Sequence, residues 1–332
     1  MKKTVAILAA TCLVAACVPA LSGCGNDGAR FTLSEEGGKH YIISFSGFSE
    51  DYGEYEIPAY YGDEKIPVTE IADEGFASTR FTKITVPETV TKIGVAAFSF
   101  CYFLETVEFA DGINLESFSR GMFGESDNLQ RIKIPDSVKT VEPLVFANCS
   151  ALSSVEMSAV ETIGTRAFEG CTAMESISLP DSLKTIGTLA FYGSGLKSVE
   201  IPDSVEDIVT VDDDGAESTV YGLGLAAFNS CVSLESVKVG KGVKVIPSGA
   251  FGYCLELKEI RIPLSVEEVQ GVHKDEKGNY VYGHAFYYCN ALSDIYYEGD
   301  EEEWKNIKID YSLYSSSINN EALKNATKHY GE

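Results

Sequence analysis

Short stretches in which apolar and polar residues alternate recur through most of the chain, and the better copies end in proline. Clear examples are Ile84-Thr85-Val86-Pro87, Ile132-Lys133-Ile134-Pro135, Ile177-Ser178-Leu179-Pro180, Val199-Glu200-Ile201-Pro202 and Ile260-Arg261-Ile262-Pro263. Alternation with β-branched residues is typical of strands that bury one side and expose the other. Proline suits the end of a strand, where no backbone donor is needed. The pattern predicts a series of short strands that share one buried face.

A phenylalanine returns at a regular interval between these stretches. The phenylalanines lie at positions 76, 98, 123, 146, 168, 191, 228, 251 and 286, so the steps are 22, 25, 23, 22, 23, 37, 23 and 35 residues. A repeat of about 23 residues is typical of a solenoid, because one such unit buries its apolar side only on its neighbours. Gly94, Gly164 and Gly187 recur four residues before a phenylalanine and are predicted to mark a bend.

The whole unit can be written L-x-x-I-x-I-P-x-S-V-x-x-I-G-x-x-A-F-x-x-C. It resembles the BspA-like class of bacterial leucine-rich repeats over about residues 40–310. Departures are Met122 and Val145 where alanine usually precedes phenylalanine, and Ala110-Asp111 in place of one proline corner. The resemblance implies a surface protein that binds macromolecules, such as a host matrix protein, a mucin or another cell.

The predicted fold is mainly β, a right-handed leucine-rich-repeat solenoid of about nine turns with terminal caps and two β-hairpin insertions. Residues 31–66 are predicted to form the N-terminal cap with the first strands, residues 67–297 the solenoid and residues 298–332 the C-terminal cap. Caps are needed because a stack of repeats leaves two open ends. Trp304 is expected to cover the last core layer, before a short helix at 319–325 and a final strand at 327–330.

Two repeats carry extra residues at the same point. The spacing from valine to the repeat's phenylalanine is usually eight residues, but it is 23 before Phe228 and 20 before Phe286. Both inserts, at about 208–222 and 269–283, have the pattern strand, polar turn, strand, which predicts hairpins on one edge of the solenoid. Insertions in repeat arrays often form a binding side; neutral decoration is the alternative. The candidate contacts on the inserts are Asp212, Asp213, Asp214, Tyr221, His273, Tyr280 and Tyr282.

The three aspartates at 212–214 also raise the question of calcium. They lack the alternating acids and the distal glutamate of an EF-type loop, so an acidic hairpin turn is the preferred interpretation.

The outward positions of the strands form the other candidate binding surface. This candidate strip comprises Arg131, Lys133, Ser154, Glu156, Ser176, Ser178, Ser198, Glu200, Ser236, Lys238, Glu259, Arg261 and Tyr296. Its central serines make a small, polar, flat surface that suits hydrogen bonding with a protein or a glycan. Glu108, Lys133 and Glu156 are predicted to form a ladder of alternating charge. A solvated sheet face without a partner is the alternative.

Six cysteines each follow a repeat phenylalanine by three residues. They are Cys101, Cys149, Cys171, Cys231, Cys254 and Cys289. Thr79, Ser126 and Ser194 occupy the same position in other repeats, which indicates a small, weakly polar, inward site. The predicted role is a structural ladder of free, buried thiols, since buried cysteine behaves as a small hydrophobe. Three disulfides are the alternative, and a metal site is disfavoured because stacked identical positions form a line rather than a tetrahedron.

The first 23 residues are predicted to be a secretory signal peptide. A basic start at Lys2 and Lys3 precedes an apolar segment that ends near residue 20. Leu21-Ser22-Gly23-Cys24 resembles a bacterial lipobox, which implies lipidation of Cys24 and a lipidated tether at 24–30. An ordinary cleavage site with an incidental cysteine is the alternative.

Charge and motifs narrow the classes of function. Twenty-six basic and 50 acidic residues give a net charge of −24, which excludes a typical nucleic-acid binder. No zinc-protease, nucleophile-elbow or phosphate-loop motif occurs, so we predict a protein that is not an enzyme and has no cofactor or metal. The predicted function is adhesion through an extracellular protein or glycan, with membrane contact through the lipid anchor only. The alternative is an accessory envelope lipoprotein that scaffolds a membrane complex or transporter.

Overall fold

The computed structural model describes residues 23–24, 28–36, 38–45, 53–211, 217–274, 277, 280–312 and 319–332. The predicted signal peptide up to residue 22 and the acidic turn at 212–214 lie outside the described residues. Short strands dominate the described chain, and most of them pair in parallel. The fold is therefore mainly β, as the alternating pattern predicts.

Two five-stranded parallel sheets form what we call the strand face. The first consists, in spatial order, of Ser154–Glu156, Arg131–Lys133, Thr106–Phe109, Lys83–Val86 and Glu54–Glu56. The second consists of Ser198–Glu200, Ser236–Lys238, Glu259–Ile262, Asp294–Tyr297 and Thr327–Tyr330. Neighbouring strands in each sheet come from successive segments of the chain, so equivalent residues lie side by side.

The prediction of a strand at Ile177-Ser178-Leu179 is wrong. Within the described residues, no backbone hydrogen bond joins residues 176–179 to either neighbouring strand. Ile177 and Leu179 are only half-buried, whereas Val199 and Ile201 at the same positions of the next repeat are 3% and 2% exposed. Partial burial alone does not explain the missing strand, because Val155 and Met157 are also half-buried although Ser154–Glu156 is a strand. The strand face is divided at this repeat.

Shorter parallel ladders run along another side of the stack. One joins Ser117–Phe118, Thr140–Val141, Thr162–Ile163 and Thr185–Ile186. The other joins Val245–Ile246, Glu268–Val269 and Lys308–Ile309. A bridge from Ile186 to Leu223 continues the first ladder past the first insert. The ladder is therefore intact at the repeat where the strand face is divided.

The remaining strands lie near the N-terminus and at the two inserts. The N-terminal sheet contains Gly23–Cys24, Ala29–Ser34, His40–Phe45, Ile66–Ile71, Tyr60–Tyr61 and Lys92–Ile93. In the inserts, Ile208–Val211 pairs antiparallel with Glu217–Val220, and His273–Lys274 pairs antiparallel with Tyr280–Tyr282.

A column of stacked phenylalanine rings forms the centre of the core. The nine repeat phenylalanines, from Phe76 to Phe286, are each 0% exposed. Successive rings lie 5.0–5.8 Å apart between centroids, and most pairs from Phe98 onward are parallel. Offset parallel rings at this distance gain stacking energy in addition to that of burial. The column is continuous across both inserts, so the inserts leave the core spacing unchanged.

Two left-handed positions per repeat shape the corner around each phenylalanine. The residues two before and two after the phenylalanine have φ near +60° in nearly every repeat. This conformation costs about 1–2 kcal/mol for a residue with a side chain. Backbone hydrogen bonds offset this cost. The residue two after the phenylalanine donates its N–H to a carbonyl of the adjacent repeat, as from Phe100 to Gly124 at 2.9 Å and from Tyr253 to Tyr287 at 2.9 Å.

The recurring glycines lie where a short strand ends and the turn before the phenylalanine begins, as predicted for a bend, but none has a positive φ. A Cβ on Gly187 would lie 2.6 Å from the backbone of Gly164 and Thr165, and one on Gly164 would lie 2.6 Å from Pro143 N. These glycines are required where the backbones of adjacent repeats approach most closely.

Two short helices lie near the C-terminus, Glu301–Asn306 and Glu321–Asn325. The first begins with a capping box, in which Asp300 accepts from the Glu303 N–H and Glu303 accepts from the Asp300 N–H. Its Trp304 is 9% exposed and packs edge-on against Tyr297 at 5.3 Å. The second helix and the strand Thr327–Tyr330 occupy the segments where the sequence predicts them.

Candidate binding surface

The strand face aligns most of the candidate strip in rows. Arg131 is in register with Ser154, and Lys133 with Glu156. In the second sheet the rows are Ser198, Ser236 and Glu259, and Glu200, Lys238, Arg261 and Tyr296. Ten of the thirteen strip residues are exposed; Ser236, Glu259 and Tyr296 are half-buried. Ser176 and Ser178 are exposed in the irregular segment between the two sheets.

A groove of about 650 Å³ lies over the first sheet. Four strip residues line it: Arg131, Lys133, Ser154 and Glu156. Its wall is the corner at residues 109–113, in the repeat whose step is 25 residues. Sequence reasoning missed Asp111 and Asp136 as lining residues, although the longer step and the absence of a proline corner were the available signals.

Strand pairing aligns Lys133 with Glu156, but within the described residues no ion pair joins Lys133 to Glu156 or to Glu108, the other members of the predicted charge ladder. Glu108 pairs with Lys83 at 2.9 Å, on the other side of its strand. The hydrogen bond with Glu108 is the main cause that raises the pKa of Lys83. Long side chains reach diagonal neighbours as well as the residue directly opposite, so register alone does not select the partner. Exposed pairs of this kind contribute little stability.

Aromatic and charged groups stack at the C-terminal end of the strip. The Arg261 guanidinium lies 4.2 Å from the centre of the Tyr296 ring, and the Tyr296 ring lies 4.7 Å from the His329 ring. His329 Nε2 is 2.8 Å from Asp294 Oδ1, and this hydrogen bond is the main cause that lowers the pKa of Asp294. Sequence reasoning missed His329, because this residue reaches Tyr296 and Asp294 only through the parallel pairing of Thr327–Tyr330 with Asp294–Tyr297.

The two inserts are connected at their bases. Gln270 Nε2 donates to the Tyr221 hydroxyl at 3.0 Å, which links them across the intervening repeat. Asp207 accepts from the Gly222 N–H at 2.9 Å and closes the first insert; burial raises the pKa of this carboxyl. His273 and Tyr282 face each other at 6.2 Å. Asp212, Asp213, Asp214 and the Tyr280 side chain lie outside the described residues.

The six ladder cysteines are buried and free. Each thiol donates to a carbonyl of the preceding repeat's phenylalanine, as from Cys171 to Phe146 at 3.2 Å and from Cys289 to Phe251 at 3.0 Å. Ser126 makes the same contact with Phe98 at 2.8 Å, which explains why serine can replace cysteine here. Burial raises the pKa of Cys231 and Cys289 to about 12, so these thiols stay protonated at neutral pH.

We expect the six ladder thiols to be protected from modification in the folded protein. Labelling with a disulfide reagent at pH 8 should be at least about 1,000-fold slower than in urea, because the buried, protonated thiols react only after local opening. Ser150→Cys, at an exposed corner, is the matched control and should label at once. Rapid labelling of all six without unfolding would contradict the structural role.

The described residues contain no group of three or more His, Cys, Asp or Glu side chains arranged to hold a metal ion. In the same part of the chain, none of the helices has the length and hydrophobicity needed to cross a membrane.

Two solved bacterial structures illustrate the similarity of fold. A leucine-rich repeat protein from Bacteroides ovatus is 22% identical with a TM-score of 0.51, over 81% of this chain and 87% of that one. A leucine-rich cell surface protein from Faecalibacterium prausnitzii is 21% identical with a TM-score of 0.48, over 88% and 99% of the chains. The first similarity supports the fold. None of the curated proteins compared with the chain matches it significantly.

The sequence model of the BspA-type leucine-rich repeat region matches in six copies, over residues 69–161, 157–210 and 216–329. The matched ranges cover well over half of the chain and include the phenylalanine column, the ladder cysteines and the strand face except for Glu54–Glu56 and the end of Thr327–Tyr330. The chain therefore belongs to the BspA-type leucine-rich repeat family.

Proposed function

We propose that this chain is a non-catalytic cell-surface lipoprotein that binds an extracellular protein or glycan through its strand face. The observation that carries the proposal is the alignment of exposed polar side chains in rows across consecutive repeats. Membership of a repeat family associated with binding supports it. The net charge of −24 disfavours nucleic acid as the partner.

The strand face suits an extended ligand. Adjacent strands lie about 4.8 Å apart, so groups on the face repeat at a spacing that an extended peptide or an oligosaccharide can follow. The Phe column and the backbone ladders hold these groups in place before the ligand arrives. Such preorganisation lowers the ordering cost of binding. The groove over the first sheet and the Arg261–Tyr296 stack on the second provide two distinct contact regions.

Membrane attachment would occur through lipid on Cys24. Small residues directly before a cysteine, at the end of an apolar segment, support this part of the proposal. The attachment would keep the protein at the envelope while the repeats face outward. Mass spectrometry of the native amino terminus tests it: a diacylated Cys24 is expected, and an unmodified Cys24 would exclude the anchor.

The binding proposal is tested by substitution within the strip. Ser176→Arg combined with Ser198→Arg adds two bulky charges to the centre of the face, where both serines are exposed. We expect at least a ~10-fold loss of affinity for any ligand found on a protein and glycan array, roughly 1.4 kcal/mol. Ser150→Arg, exposed outside the strip, should bind as the parent protein does.

Three results would count against this function. If the parent protein binds nothing on the array or on intact cells above background, the adhesion proposal fails. If binding survives the double substitution, the strand face is not the site. Co-purification of the protein with a membrane complex from native envelopes would favour the alternative function, an accessory envelope lipoprotein.

A further inference from the structure

A separate exposed surface lies at the corners that follow the repeat phenylalanines. Its centre, which we call the tyrosine patch, consists of Tyr192, Tyr253, Tyr287 and Tyr288. Tyr192 is 38% exposed, Tyr253 is 42% exposed, and the other two are half-buried. Exposed aromatic clusters of this kind are typical of interaction sites. None of these residues belongs to the candidate strip.

The patch is free of charge in a strongly acidic protein. The tyrosines belong to a larger set of corner positions, three in each of the last four repeats: one and two residues after phenylalanine, and one after the cysteine position. The twelve residues at these positions are Tyr192, Gly193, Gly195, Asn229, Ser230, Val232, Gly252, Tyr253, Leu255, Tyr287, Tyr288 and Asn290. The same positions of the three preceding repeats include Glu125, Asp127 and Glu169. No acidic residue therefore occupies these corner positions in the last four repeats.

The patch is held together by specific contacts. The Tyr287 ring lies over Gly252, where a Cβ would come within 1.9 Å of the ring. Its hydroxyl accepts a hydrogen bond from Asn229 Nδ2 at 2.9 Å, two repeats away. Tyr253 stacks in parallel on Tyr288, with centroids 4.8 Å apart, and meets Tyr287 edge-on at 4.9 Å. Burial is the main cause that raises the pKa of Tyr287, and the nearby Tyr253 and Tyr192 phenols add to it.

Two of these tyrosines lie at the left-handed backbone position that most repeats share. Tyr253 and Tyr288 have φ of 58° and 60°, in the left-handed position two residues after the phenylalanine. Gly170 and Asn148 occupy that position in other repeats, with φ of 69° and 59°. Glycine and asparagine adopt this conformation at the least cost. The repeat accepts a large side chain at this position, since Phe100 has a φ of 57° there.

We propose that the tyrosine patch is a binding site for a neutral carbohydrate. Aromatic ring faces and edges pack against the apolar C–H faces of a sugar ring, while amide and hydroxyl groups accept and donate hydrogen bonds to sugar hydroxyls. Asn229, Ser230 and Asn290 supply such groups beside the tyrosines. The lack of charged residues in the patch favours a neutral sugar over an acidic one. This site is distinct from the strand face and does not depend on the function proposed for it.

The test uses the full chain with maltoheptaose, cellohexaose and chitohexaose as neutral probes, followed by saturation-transfer NMR and calorimetry. At least one probe should bind, and Tyr253→Asn or Tyr288→Asn should weaken that binding at least tenfold. Both variants should fold, because Asn148 already occupies the equivalent position with the same φ. Tyr253→Phe, which keeps the ring, should retain affinity within about threefold. Tyr60→Asn, at a 53% exposed tyrosine elsewhere, is the matched control.

Four results would overturn the proposal. They are no binding of any neutral probe, unchanged affinity in both asparagine variants, tighter binding of hexagalacturonate than of the neutral probes, and a dimer of the parent protein that Tyr253→Asn dissociates. The last result would assign the patch to contact between two copies of this chain. None of these results bears on the strand face, whose variants are tested separately.

Discussion

Replacing Phe168 with alanine is expected to lower the free energy of unfolding by about 3–5 kcal/mol. Its ring is 0% exposed and lies between Phe146 at 5.1 Å and Phe191 at 5.2 Å. The substitution removes the burial of the ring and two stacking contacts, and it leaves a cavity in the middle of the column. The rigid ladders on either side prevent the repeats from collapsing into that cavity. Urea unfolding followed by circular dichroism measures the loss.

Two further variants make this result interpretable. Phe103→Ala, at a ring that is 40% exposed, should change the unfolding free energy by less than about 0.5 kcal/mol. Phe168→Leu keeps most of the volume and should lose about 1–2 kcal/mol, which remains measurable if the alanine variant does not fold. A loss below 1 kcal/mol in Phe168→Ala would show that the column contributes little to stability.

Replacing Gly187 with alanine is the second change with a large expected effect. The new Cβ would come within 2.6 Å of backbone atoms of Gly164 and Thr165, which cannot rotate away. Separating these repeats would strain the ladder in which Thr185–Ile186 pairs with Thr162–Ile163. We expect a loss of about 2–3 kcal/mol, as for overpacked cores. The same urea titration measures it.

The control for this prediction is another glycine. Gly53→Ala adds the same methyl group where no atom lies within 4 Å and where φ is not positive. It should leave stability unchanged, or increase it slightly by restricting the unfolded chain. Equal effects at the two positions would mean that close approach between repeats does not explain Gly187.

The repeat made most of the fold predictable. Phenylalanine and cysteine at constant offsets identify residues that must stack on their counterparts, since one repeat offers no other apolar surface to bury them. The prediction was wrong at residues 177–179, where the alternating pattern continues but no backbone ladder forms. Whether two strands come within hydrogen-bonding distance depends on the relative placement of neighbouring repeats, which the residues of one repeat do not determine.

The candidate site was less predictable than the fold. Alternation identified which side chains of the strand face point outward, and register followed from the repeat. It did not identify the groove, because residues 109–113, which help to line it, depart from the proline corner of the other repeats. It did not identify the tyrosine patch either, since Asn229 and Tyr287 are 58 residues apart and meet only through the stacking of three repeats.

The sequence by itself determined the class of fold, the family, the composition of the core column and the outward face of each strand. These follow from local periodicity, because every repeat obeys the same rule about which residues lose contact with water. Only the tertiary structure decided that Glu108 pairs with Lys83, that Gly187 is required by contact between backbones, and that His329 stacks on Tyr296. Each of these depends on the distance and orientation between repeats, which are set by the packing of the whole stack.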